Sequence, residues 1–169
     1  MWRPPGINGE MRLSRGASVA ELERAYRAGF PRFVRVAAAV AGDEESGADA
    51  VHDAFVQAVR RRRSFRGDGP LEAWLWRMVV NAAKKRAGRE PVAEAEELPA
   101  VHENGFGDPV RTLVASLPER QRLALFLRYY ADLDYQSIAA ALGVAPGTVG
   151  ATLNAAHAAL RNSLEEAHR

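Results

Sequence analysis

The sequence predicts an all-α protein of two small helical domains joined by an acidic flexible linker. Three observations carry this. Apolar residues recur at three- and four-residue spacing through most of the chain. Capping residues or Pro stand where those runs begin. Between the two sets of runs lies a stretch, 90–108, of Pro, Gly and acid with no Lys or Arg.

The bulk numbers agree. The chain has 169 residues, 47% apolar and 26% charged, with a formal net charge of +2. Such a length holds one medium domain or two small ones. There is no cysteine, which excludes disulfides and thiolate metal sites and suits a reducing cytoplasm. No apolar run reaches the length needed to span a bilayer. The first 18 residues carry Arg3, Arg12 and Arg15 without an apolar core, so they read as a flexible tail, not a signal peptide.

The first helix is expected over 19–40, with Leu22, Tyr26, Phe30, Phe33, Ala37 and Val40 at helical spacing. Ser18 followed by Glu21 forms a capping box. Gly29 and Pro31 predict a kink or a division into two pieces. Gly42 and Asp43 make a turn. A second helix is expected over 46–63, capped by Ser46 with Asp49, its inner face formed by Ala48, Val51, Phe55, Ala58, Val59 and Arg62. Asp49, His52, Asp53 and Gln57 fall on another face, which reads on its own as solvated surface. One His between carboxylates lacks a ligand set, so no metal is expected.

A third helix follows the turn Gly67-Asp68-Gly69-Pro70. Pro suits the first helical position and Asp68 and Glu72 suit the positive helix end. Leu71, Leu75, Met78, Val79 and Ala82 give its apolar spacing, and Gly88 a stop. Trp74 and Trp76, two apart, point to different faces. Lys84, Lys85, Arg86 and Arg89 crowd its end. Two readings stand. One is a core Trp, a half-exposed Trp and a solvated basic end. The other is a nucleic-acid surface, in which aromatic faces stack bases and cations such as Arg77, Lys84 and Lys85 track phosphates. Between Val51 and Arg89 the basic residues are Arg60–Arg63, Arg66, Arg77, Lys84, Lys85, Arg86 and Arg89, against Asp53, Asp68 and Glu72. That local excess favours phosphate binding.

The linker holds Glu90, Glu94, Glu96, Glu97, Glu103 and Asp108, broken by Pro91, Pro99, Gly105, Gly107 and Pro109. The second domain, 109–166, opens with Asp108-Pro109 and continues through Leu113 and Leu117. Pro118 begins a further helix containing Leu123, Leu125, Phe126 and Leu127. Asp134 caps Tyr135–Leu142, Gly143 turns the chain, and Pro146 starts the last helix. Helix, short Gly turn, helix is a helix-turn-helix. Ala139 and Gly143 are expected to let the two helices approach closely, with Val144, Val149 and Leu153 filling the junction. Ile138, Ala139 and Leu142 are the expected buried face of Tyr135–Leu142.

Two stretches resemble one family. Phe65-Arg66-Gly67-Asp68 with Trp74-Leu75 and Asn81 resembles the promoter-melting segment of the extracytoplasmic-function sigma factors of bacterial RNA polymerase. D-A-V-H-D-A-F, from Asp49, resembles their core-binding region 2.2, with His52 in place of the usual Gln. Residues 117–149 resemble their region 4. Together these cover about two thirds of the chain in the family's order. The resemblance implies a pocket for a base flipped from the −10 element, lined by Phe65 and Asn81, with Arg66, Gly67 and Asp68 in its loop. Trp74, Trp76, Arg77, Lys84 and Lys85 belong to the same DNA surface. It implies that Asp49, His52 and Asp53 meet the polymerase core, and that region 4 contacts duplex DNA at the −35 element. An anti-sigma factor is a possible partner; no cofactor, enzymatic activity or membrane contact is implied. Here 19–89 corresponds to region 2.

The last helix departs from the family pattern. From Pro146 to Leu160 it has no Lys, Arg, Asp or Glu. Gly150, Thr152, Ala155 and His157 stand where basic residues are usual. Thr148, Thr152, Asn154 and His157 remain as polar contacts, and the helix N-terminus as a phosphate site. A weak −35 reader and a protein-docking face are both compatible with this. A decoy or adaptor that binds polymerase without initiating, and a free-standing helix-turn-helix regulator, are the rival functions.

Overall fold

The computed structural model describes residues 16–88 and 108–167. Residues 1–15 of the expected tail and most of the acidic linker lie outside the described residues, whereas Ala17, placed in that tail, is buried and donates its N–H to the Arg62 carbonyl at 2.8 Å. Among them are seven α-helices and one 3-10 turn: α1 (Val19–Ala41), α2 (Glu44–Arg61), the turn Arg62–Ser64, α3 (Leu71–Ala87), α4 (Asp108–Ser116), α5 (Glu119–Tyr129), α6 (Tyr135–Leu142) and α7 (Pro146–Ala167). The fold is all-α.

The first three helices form a bundle in which each packs on the other two. Ser18 caps α1 in a complete capping box: its hydroxyl accepts from the Glu21 backbone N–H, and the Glu21 carboxylate accepts from the Ser18 N–H at 2.8 Å. α1 runs as one helix through Pro31, so the division into two pieces does not occur. Gly29 is buried within it for a packing reason. A Cβ there would lie 2.5 Å from the Phe33 ring, so the glycine makes room for an aromatic that contacts both Phe55 and Trp76.

The second helix also starts differently from expectation. Asp43, not Ser46, is the N-cap, and its carboxylate accepts from the Ser46 backbone N–H at 2.7 Å. Gly42, with φ of 110°, closes α1 immediately before it, so the αL residue and the cap together make the whole turn. The buried stripe of α2 is Gly47, Ala50, Val51, Ala54, Phe55 and Ala58. It is rotated from the expected one, leaving Val59 exposed. The small residues explain the rotation: a Cβ on Gly47 would lie 2.5 Å from the Ala38 backbone nitrogen, so α1 and α2 touch backbone to backbone there.

The second group is built around the helix-turn-helix. Asp134 caps α6, accepting from the Ser137 N–H at 2.7 Å. Gly143 leaves α6 in the left-handed region with φ of 67°, and the chain turns through 96° between α6 and α7. Val149, Leu153 and Ala156 of α7 pack with Ile138, Ala139 and Ala141 in one apolar core. The close approach expected of Gly143 is made elsewhere: the nearest atoms to a Cβ there belong to the Arg77 side chain of α3, at 3.7 Å.

That contact belongs to a larger one. α6 packs along α3, and α5 touches α1. The two helical groups therefore share one continuous apolar core, which the sequence reading did not anticipate. Polar contacts surround the join. Lys84 pairs with Glu119 at 2.6 Å, Arg32 donates to the Ala131 carbonyl at 3.1 Å, and the Arg35 guanidinium lies 5.8 Å from the centre of the Tyr130 ring.

Candidate nucleic-acid interface

The site is organised by α3, whose faces separate at about 100° per residue. Positions 72, 75, 76, 79, 83 and 86 share the side toward α1 and α2. Leu75, Trp76, Val79 and Ala83 are buried there, and Arg86 closes it at the C-terminal end. Positions 73, 77, 80 and 84 turn toward α5 and α6. Positions 74, 78, 81 and 85 form the remaining side, with Trp74 and Met78 half-buried and Asn81 and Lys85 exposed.

Trp76 does not belong to a DNA surface. It has 0% exposure, its ring centre is 4.4 Å from that of Phe33, and its indole N–H donates to the Glu72 carboxylate at 3.4 Å. A residue at the heart of the bundle cannot stack a base, so its assignment to that surface is corrected. The sequence held the clue: two Trp two positions apart cannot share a face, and one of them had to be core.

Trp74 sits where Trp76 does not. Its ring lies 5.6 Å from that of Phe65, tilted at 53°. Phe65 is half-buried, at the end of the 3-10 turn Arg62–Ser64, with its N–H donating to the Arg62 carbonyl. Arg66, Gly67 and Asp68 follow it, exposed, with Gly67 at φ of 77°. An L side chain is disfavoured there, which accounts for a glycine at the loop's tip. Half-exposed aromatic rings therefore stand beside the helix side that carries Asn81 and Lys85. Exposed aromatic faces with exposed amide and ammonium groups suit unpaired nucleotides.

The acidic face has an internal partner. Arg86 donates to Asp49 at 3.1 Å and to Asp53 at 2.8 Å. The guanidinium bridges the two carboxylates and ties the end of α3 to the middle of α2. Its pKa is raised, first by the hydrogen bond to Asp53 and then by the charges of both acids. Asp49 and Asp53 remain more than half exposed, so each keeps room for another partner. His52 stands between them and shares a 3.0 Å hydrogen bond with the Tyr26 hydroxyl, near the rings of Tyr26 and Phe30. Arg86 is the residue sequence reasoning missed. Its signal was its register on the inner side of α3, which the basic run around it concealed.

In the helix-turn-helix, the polar residues of α7 are partly occupied. The Thr152 hydroxyl donates to the Thr148 carbonyl of its own helix at 2.7 Å. His157 shares a 3.0 Å hydrogen bond with the Tyr129 hydroxyl. Gly150 is half-buried, and a Cβ there would meet the Tyr135 ring at 3.6 Å. Asn154 is exposed, and Thr148 is half-buried. Over 146–160 the outward side thus carries no Lys, Arg, Asp or Glu and is built largely of Gly and Ala, with Asn154 and His157. Among the described residues, no cluster of His, Asp or Glu is arranged to hold a metal ion, and no single helix is long and apolar enough to cross a membrane.

A three-helix bundle bearing an aromatic loop, followed by a helix-turn-helix, is the arrangement that the sigma-70 family models match in order. The family model for Sigma-70 region 2 matches residues 25–90, and that for Sigma-70, region 4 matches residues 108–160. The ECF RNA polymerase sigma-E factor of Escherichia coli (strain K12) is 32% identical over 139 residues, spanning 69% of this chain and 73% of that protein. The RNA polymerase sigma-H factor of Pseudomonas aeruginosa is 29% identical over 145 residues, spanning 73% and 75%. Among solved structures, CnrH in complex with the cytosolic domain of CnrY has a TM-score of 0.69 at 21% identity, covering 89% of this chain and 91% of that one. The sigma factor RpoE in complex with the anti-sigma factor NepR from Bartonella quintana has the same score and identity, covering 87% and 98%. The chain belongs to the extracytoplasmic-function sigma factors, the transcription initiation factors of this family.

Proposed function

We propose that this sigma factor binds the RNA polymerase core through the α2 face of Asp49, His52 and Asp53 and opens promoters through the loop and outer side of α3. In this reading a base displaced from the −10 element is received by Phe65 and Asn81. Arg66, Gly67 and Asp68 shape the loop around it, Trp74 backs the Phe65 ring, and Arg77, Lys84 and Lys85 serve the phosphates. Flipping a base costs a few kcal/mol, which contacts of this kind repay. The observation that carries the reading is the Phe65–Trp74 ring pair, half-exposed and next to the helix side presenting Asn81.

Duplex reading by region 4 is weak in this proposal. Phosphate contacts dominate DNA affinity and Arg is the commonest reader of guanine, yet residues 146–160 carry no charge. Thr148, Gly150, Thr152, Asn154 and His157 offer few free polar groups. Promoter choice then falls mainly on region 2. The small, neutral outer side of α7 supports a second reading, an adaptor or decoy that docks protein there and starts no transcription. An anti-sigma factor is a further partner, by likeness to RpoE, which was solved with the anti-sigma factor NepR.

The test is transcription with purified core polymerase on genomic DNA, with start sites mapped. Permanganate footprinting on a promoter so found then compares Asn81→Ala and Phe65→Ala with the natural chain. Both variants should retain core binding and lose open complexes. Normal opening by both would refute the pocket, and no transcription by the natural chain would favour the adaptor.

A further inference from the structure

We infer that Gly16 and Ala17, the residues just ahead of α1, are positioning residues for promoter opening: they brace the 3-10 turn Arg62–Ser64 from outside and so fix where Phe65 stands. The inference rests on the reading of Phe65 as part of a base pocket.

Four observations carry it. First, the turn has modest support of its own. It is three residues long, and no side chain caps it. The Arg62 guanidinium donates to the Val59 carbonyl at 3.1 Å and the Ser64 hydroxyl to the Arg61 carbonyl at 2.7 Å. Both bonds stay within the same short stretch of chain, and bond geometry in 3-10 turns is poor. Second, the Arg62 carbonyl accepts two N–H groups, that of Phe65 at 3.4 Å and that of Ala17 at 2.8 Å. The shorter bond is the one that comes from the start of the bundle. Third, Gly16 lies against the same turn. Its φ is 112°, and a Cβ on it would stand 3.0 Å from both the Arg62 oxygen and the Arg63 Cα. Those are backbone atoms and cannot step aside as a side chain can. Fourth, Ala17 is itself held. It is buried, and the capping box of Ser18 with Glu21 fixes the next residue at the head of α1. The bond to Arg62 is therefore made from a rigid point.

Phe65 is the first residue after the turn, in extended backbone. Its ring faces Trp74, which α3 carries, so the separation of the two rings depends on where the turn sits. The loop beyond gives little hold: nothing lies within 4 Å of a Cβ at Gly67 or Gly69. A displaced base is kept only if the contacts that offset its unstacking stand ready, because ordering the loop at that moment subtracts free energy for each residue fixed. Gly16 and Ala17 supply that order without touching DNA.

The test uses the full chain. Gly16→Ala forces a side chain onto the turn at a strained φ, and Ala17→Pro removes the N–H. Each should speed amide hydrogen exchange at 63–65 by about two- to tenfold, the range for loss of one ordinary hydrogen bond. Each should lower the yield of open complexes, read by permanganate on a mapped promoter, by a similar factor, with affinity for core polymerase unchanged. Ala17→Ser keeps the N–H and should restore both readouts. Removing residues 1–15 should leave exchange at 63–65 as it is, and removing 1–17 should raise it. Unchanged exchange and opening in Gly16→Ala and Ala17→Pro would overturn the inference. So would an Ala17→Ser chain as defective as Ala17→Pro, or equal exchange in the two truncated chains. Normal opening by Phe65→Ala would instead remove the pocket reading, while exchange at 63–65 would still report whether the turn is braced.

Discussion

Replacing Gly47 by Ala tests whether the close approach of α1 and α2 sets the bundle that carries the site. On helix propensity alone the change should help, since removing Gly from a helix interior gains about 1 kcal/mol. The geometry says otherwise. The added Cβ would stand 2.5 Å from the Ala38 nitrogen, 2.7 Å from its Cα and 2.8 Å from its Cβ. Non-bonded carbon contacts settle near ~3.5–4.0 Å, so the helices must separate by about 1 Å. None of the opposing atoms is the end of a flexible side chain, so the strain spreads into the neighbouring contacts of Ala50, Val51 and Ala54. Overpacking of this kind costs about 1–3 kcal/mol, and rigid backbone places this site at the upper end. After the propensity gain, the net loss is about 2 kcal/mol. For a chain of this size that lowers Tm by about 4–8 °C. Thermal unfolding followed by circular dichroism reads it. Gly147→Ala is the control: nothing lies within 4 Å of its Cβ and its φ is ordinary, so that variant should melt no lower than the natural chain. A Gly47→Ala chain melting at or above the natural one would refute the reasoning.

Trp76→Ala should destabilise the bundle by about 3–5 kcal/mol, as removal of a fully buried aromatic does, whereas Trp74→Ala should cost far less stability and act on promoter opening; urea unfolding and footprinting separate the two. A double-mutant cycle on Arg86→Gln with Asp53→Asn should show coupling of about 1 kcal/mol, in the range of charge-assisted bonds near the surface. If Asp53 also meets polymerase, Asp53→Asn should weaken core binding more than Arg86→Gln does. Acid should loosen the caps. Hydrogen bonds from the Ser46 side chain and then its backbone lower the pKa of Asp43, and those from the Ser137 backbone and then its side chain lower that of Asp134. Carboxylates whose folded pKa is depressed stabilise the fold above the ordinary value near 4 and lose that contribution as pH falls through the folded value. Stability should therefore hold from neutral pH down to about 5 and fall below about 4, and the fall should be shallower in an Asp43→Asn, Asp134→Asn chain, since Asn still caps but does not titrate.

How much was legible in the sequence depended on the range of the physics. Cap signals act within three residues, so Ser18 with Glu21, and Asp134, could be read directly. Asp43 was read as a turn residue because Ser46, three positions on, is also a good cap. The two compete for one helix start, and only packing fixes which wins. Periodicity identified α3 but not which Trp was core. Its partner, Phe33, is more than forty residues away in sequence. The Arg86 bridge was hidden for the same reason: in a run of Lys and Arg, only position relative to α2 distinguishes the residue that turns inward. The contact of α6 with α3 left one trace, a helix whose every residue from Ile138 to Leu142 is apolar, more than a single buried stripe needs.

That trace bears on the uncharged last helix. If region 4 spent its time only on duplex DNA, the small neutral outer side of α7 would be a defect, because electrostatics supply most of the affinity there. In a chain where region 4 also rests on α3, basic residues on and near the turn after α6 would face Arg77 and Lys84, and like charges at close range oppose that contact. Glu119, placed against Lys84 at 2.6 Å, has the sign that the contact favours. The acid at the head of α5 thus fits the contact with α3. The acid lowers the cost of bringing a helix-turn-helix against a cationic helix, and the uncharged stretch 146–160 lowers affinity for duplex DNA. Adding Lys at Gly150 and Ala155 should therefore raise region 4 affinity for duplex DNA with a steeper salt dependence, measured by fluorescence anisotropy across a salt series. An unchanged salt slope would show that charge on this helix is not what sets its affinity.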